Sequence, residues 1–99
     1  MSFPQKIRIL GRDYIVEYNE ELNGLYGKCD ERNQLISIAP NQLPSLEVDT
    51  VLHEIVHGIS DVMNLGMKER QVYCITTGLI AVMKDNPDFL EYLNRMLNK

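Results

Sequence analysis

The sequence predicts an α+β fold in which a small antiparallel or mixed sheet of three to four strands is followed by three helices. Three observations predict it. Up to about residue 45 apolar residues tend to recur at every second position, the strand period. Beyond that point they recur at helical spacings of three and four. The period changes once, and no internal repeat or low-complexity tract divides the chain. At 99 residues the length is that of one domain, so residues 1–99 are read as a single unit.

Ile7 and Ile9, then Tyr14, Val16 and Tyr18, alternate on either side of Gly11-Arg12-Asp13, so residues 5–10 and 13–19 are expected to form a hairpin. Asn23-Gly24 breaks the chain again, and a third short strand is expected at 25–29. A polar connection at 30–33 leads to a fourth strand at 35–39, closed by Pro40 and Pro44, neither of which suits a strand interior. Because this strand leads directly into the first helix, it is expected to be the sheet edge nearest that helix. Ile36 and Ile38 should pack inward and Ser37 should face out.

The first helix carries the stripe Val48, Val51, Leu52, Ile55, Val56, Ile59, Val62 and Met63, with Ser45 as expected N-cap and Glu47 and Asp49 near the positive end of its dipole. Asn64-Leu65-Gly66 supplies the stop, and Met63, Leu65 and Met67 are expected to pack around it. A second helix is expected over 68–84, with Val72, Ile75, Thr76, Leu79, Ile80, Val82 and Met83 on its apolar face. Asn86 and Pro87 read as cap and first position of a third helix bearing Phe89, Leu90, Leu93 and Leu97.

Charge narrows the function. Ten basic residues against 14 acidic ones give a net charge of −4, the opposite of the basic footprint of a nucleic-acid binder. No run approaches the ~18 consecutive apolar residues of a membrane span, and the N-terminus lacks the apolar core of a signal peptide. A cytoplasmic chain with neither nucleic acid nor membrane as partner is expected. Cys29 and Cys74 have no ligand-like spacing and read as reduced, partly buried thiols.

The chemistry lies in His53-Glu54-Ile55-Val56-His57, an HExxH pattern containing the only two histidines of the chain. Residues four apart share a helix face about 6 Å apart along the axis, so both imidazoles can converge on one ion. Catalytic zinc takes three protein ligands and keeps one position open. Glu54 points about 100° around the helix from His53, placed to accept a proton from water that the metal acidifies.

A third ligand must come from elsewhere. Asp61 shares the helix face but lies about 12 Å from His53 along the axis, too far for a short side chain. Asp61 and Asp49 read equally well as groups that orient the imidazole N–H bonds and as solvated charges. Glu69 is the better candidate, because a chain reversal after the 64–66 turn aims a first-turn carboxylate back at the metal. Tyr73, one turn further on, is a candidate donor to a developing oxyanion, although an amphipathic tyrosine at the core edge has the same pattern. Tyr26 is a weaker candidate of the same kind.

Residues 53–58 followed by Glu69-Arg70-Gln71-Val72 resemble the minimal zincin metallopeptidases of the gluzincin arrangement, and in particular the ImmA/IrrE-type metallopeptidase core of bacteria, phages and prophages. The resemblance covers about residues 33–85. It implies a minimal metallopeptidase-like domain with zinc held by His53, His57 and Glu69, Glu54 as general base, and a protein or peptide substrate. Family members with regulatory roles often carry a DNA-binding or sensor domain, and neither is expected here. The expected function is therefore a zinc-dependent endopeptidase. The alternative is a non-catalytic zincin-like protein in which the metal only stabilises a binding or accessory module.

Overall fold

The computed structural model describes residues 3–99. It contains four strands, β1 (Lys6–Ile9), β2 (Arg12–Tyr18), β3 (Gly27–Asp30) and β4 (Leu35–Ile38), and three helices, α1 (Pro44–Val62), α2 (Glu69–Asp85) and α3 (Pro87–Leu97). The architecture is α+β, as the change of period requires.

β1 and β2 form the expected hairpin, turned by Leu10 and Gly11, both at positive φ. Such a two-residue turn matches the right-handed twist of the strands it joins. The sheet order is β1-β2-β4-β3, with β3 antiparallel to β4 and β4 parallel to β2. The fourth strand is thus interior, which corrects the expectation that 35–39 is the edge. The edge beside α1 is β3. Ser37 does lie opposite the face of Ile36 and Ile38, but it is only 5% exposed. A small residue on an interior strand, flanked by Glu17 of β2 and Lys28 of β3, is covered by its longer neighbours.

The inner face of the sheet supplies Ile9, Tyr14, Val16, Ile36 and Ile38, and α1 lays Val51, Ile55, Ile59 and Val62 across them. Gly58 makes the close approach possible, since a Cβ there would stand 2.6 Å from Ile9 Cδ1. The Tyr14 hydroxyl is buried in this layer without a hydrogen-bond partner among the described residues.

The helix starts differ from expectation in detail. α1 begins at Pro44, with Leu43 rather than Ser45 in the cap position. Proline's fixed φ suits the first helical position, so the helix starts two residues earlier than a serine cap would place it. α2 starts at Glu69, and its Lys68 N–H donates to Gln71 Oε1. α3 begins at Pro87 as expected, yet none of its residues is buried. Met63 and Leu65, expected to pack at the turn, are exposed, as are Val48, Ile75, Leu79 and Val82 from the expected helix stripes. Among the described residues no helix is long and apolar enough to cross a membrane.

Candidate metal centre

The middle of α1 is fixed against the sheet, and this positions His53 and His57. Their rings sit edge to face, with centroids 4.9 Å apart. The chain then reverses through Asn64 and Gly66, both at positive φ. Ser60, buried on α1, organises the reversal: its hydroxyl accepts from the Met67 N–H at 3.0 Å, and its carbonyl accepts from the Leu65 N–H at 2.8 Å. α2 therefore begins beside the histidines, and its first residue is Glu69. His53 Nε2 lies 2.5 Å from Glu69 Oε1 and His57 Nε2 lies 2.9 Å from Oε2.

The three side chains bring one ligand atom each to within 4.8 Å of one another. Two imidazole nitrogens and a carboxylate oxygen on one small sphere can hold a metal ion. The carboxylate is ready for it. Burial opposes its ionisation, but the contacts with His53 and His57 together hold Glu69 below the usual carboxylate range. Asp49 and Asp61 stand outside this triad, although each lines the surrounding cleft.

Glu54 is 6% exposed. The backbone of β3 presses against it, and a Cβ on Gly27 would stand 2.7 Å from Thr50 Cγ2 and 3.1 Å from both Cγ and Oε2 of Glu54. Burial, with some help from Glu69 and against the pull of His57, pushes the Glu54 carboxyl up to about 7. A carboxyl poised there exchanges protons readily near neutral pH.

The triad lies in a cleft of two hollows that share Leu25, Gly27, Glu54 and Glu69. The first, about 450 Å³, holds His53, Asp49, Tyr26 and Tyr73. The second, about 430 Å³, holds His57, Lys28, Cys29 and Asp61. Tyr73 and Tyr26 thus both reach the cleft wall, and both are exposed. Cys29 and Cys74 are free thiols. Burial and the neighbouring Asp61 push the Cys29 thiol up to about 12, so it packs as a neutral group.

Sequence reading missed Gly27, Ser60 and Thr50. Gly27 follows the Asn23-Gly24 break, and its sequence context marks it only as part of a strand. The other two are small polar residues whose contacts come from distant segments. Comparison of the chain with protein-family profiles, curated proteins and solved structures finds no match.

Proposed function

We propose that the chain is a zinc-dependent endopeptidase in which His53, His57 and Glu69 hold the ion and Glu54 is the general base. The observation that carries this reading is the buried Glu54 carboxyl beside a three-atom ligand set in an open cleft. Two imidazoles and a carboxylate are the ligand set of one class of catalytic zinc site, whereas structural sites are usually closed by four ligands. When bound, such an ion polarises a peptide carbonyl and acidifies water.

Glu54 accepts the proton released as water attacks the peptide carbon, and returns it to the departing amine nitrogen. Tyr73, on the same wall, donates its hydroxyl to the oxygen that gains charge. The substrate is an extended peptide. The Ala39 N–H donates to the Tyr26 carbonyl at 2.8 Å, and pairs alternate along an antiparallel ladder. The N–H and C=O of Lys28 therefore turn toward β4, while those of Gly27 and Cys29 turn to the free edge. A peptide can add there as a further strand, beside the triad. The fourth strand cannot take a peptide in this way, because it is paired on both sides.

The sequence resemblance to zincin and ImmA/IrrE-type metallopeptidases points the same way, and with it a cytoplasmic setting and a phage or prophage origin. The non-catalytic alternative gives no reason for a buried carboxylate next to the ligands, a position that costs free energy unless it is used.

The test pairs metal content with hydrolysis. The wild-type chain should hold one zinc, and Glu54→Gln should hold the same amount. Cleavage of a denatured protein substrate such as casein should fall about 10²–10⁴-fold in the variant, the usual cost of losing one acid–base group. Equal turnover by the two proteins would remove Glu54 from the mechanism, and a zinc-loaded wild type that cuts nothing would favour the binding module.

A further inference from the structure

The cleft does not end at the metal triad. On the His53 side it continues between the 19–26 segment and the 39–46 connection into a larger hollow of about 570 Å³, with Leu25, Tyr26 and Leu46 as shared walls. Leu25, Tyr26 and Leu43 stand open there, 56%, 61% and 73% exposed. Large apolar side chains grouped beside a polar cleft mark a surface that something apolar covers.

The walls are held in place before any ligand arrives. The Gln42 side-chain amide donates to the carbonyls of Tyr26 and Ala39 at 3.1 and 2.8 Å, and its oxygen accepts from the Thr50 hydroxyl at 2.9 Å. One side chain thus ties both walls to α1, three residues before His53. A pre-formed wall loses little conformational freedom when a ligand binds, so apolar contact is converted more fully into affinity.

The charge of this end is one-sided. Glu20 and Asp49 line it, and no lysine or arginine among the described residues does, whereas Lys28 lines the opposite hollow beside His57. A carboxylate entering here meets like charge and finds no cation to replace its lost hydration.

We infer that this end of the cleft is a subsite for a large apolar side chain of the peptide, closed to acidic residues and to a free C-terminal carboxylate. Cleavage then falls within a chain, next to an apolar residue, and not at a C-terminus. This rests on the reading of the triad as an open metal centre, and the experiment separates the two.

The zinc-loaded protein is titrated by calorimetry with acetohydroxamate, which reports the metal alone, and with the hydroxamates of acetyl-triglycine, acetyl-trileucine and acetyl-triaspartate. Trileucine should bind about tenfold tighter than triglycine or better, the gain from sequestering one large apolar side chain. Triaspartate should bind more weakly than triglycine. Leu43→Asp should erase most of the leucine gain while acetohydroxamate affinity stays unchanged. That variant is suited to fold, because Leu43 is exposed and occupies the cap position of α1, where aspartate is favoured. Leu97→Asp, an equally apolar and exposed site on α3, should leave all four affinities as they are. Failure of acetohydroxamate to bind would overturn the open metal centre and the subsite with it. Acetohydroxamate binding without a leucine preference, or a preference that survives Leu43→Asp, would overturn the subsite alone.

Discussion

α1 and α3 are both amphipathic, yet α1 buries five residues and α3 buries none. α1 lies on the inner face of a four-stranded sheet, while among the described elements α3 leans on α2 alone. α2 is intermediate, with Val72 and Thr76 buried. The metal triad spans this gradient, since His53 and His57 come from the packed half and Glu69 from the first residue of the lightly packed one. The two histidines are therefore held by the core, and Glu69 by the Ser60-anchored turn.

Truncation in each half measures the contrast. Ile36→Ala in the sheet core should cost about 2–5 kcal/mol in urea unfolding. Leu97→Ala, 79% exposed on α3, should change stability by less than about 0.5 kcal/mol. Similar costs at the two sites would abolish the distinction between the halves.

The ion should partly close the gap. At a thousandfold excess over its dissociation constant zinc should stabilise the chain by about 4 kcal/mol. Hydrogen exchange should slow most in the first turn of α2. Glu69→Ala should lose most of both effects, and if it kept them the link between the halves would lie elsewhere.

A smaller effect, set by pH, belongs to the packed half alone. Burial lifts the Glu54 carboxyl from its ordinary 4.5 to about 7. Between those pH values the folded chain binds more protons than the unfolded one, so the stability of the metal-free chain falls as pH rises through the window. Glu54→Gln removes that ionisation. The metal-free variant should be more stable than wild type at pH 8, by on the order of 1–3 kcal/mol, and the advantage should vanish near pH 4. An advantage independent of pH would mean that Glu54 does not ionise in place.

What the sequence made legible follows from distance along the chain. The β1–β2 hairpin, the helix order and the pairing of His53 with His57 are set by residues within one or two turns of each other, and all appear. Glu69 was legible because turn residues announce the reversal that precedes it. The parallel pairing of β2 with β4 was not, because it joins residues twenty positions apart and leaves β3, which lies between them in the chain, on the outside. That one pairing moved the edge from β4 to β3. The third strand also begins at Gly27 and not at Leu25, whose N–H is taken up by a turn contact to the Leu22 carbonyl.

The two borders of the sheet differ from its interior strand β4. β1 and β3 are four residues each and carry Lys6 and Arg8, and Lys28 and Asp30, whereas the interior strand β4 reads Leu-Ile-Ser-Ile without a charge. Unpaired backbone on a long, flat, uncharged border is a template on which further copies assemble into aggregates. Here the aggregation-prone segment is walled in on both sides, and the open border is short and charged. The length that limits how much peptide β3 can hold also denies a neighbouring copy a surface on which to grow.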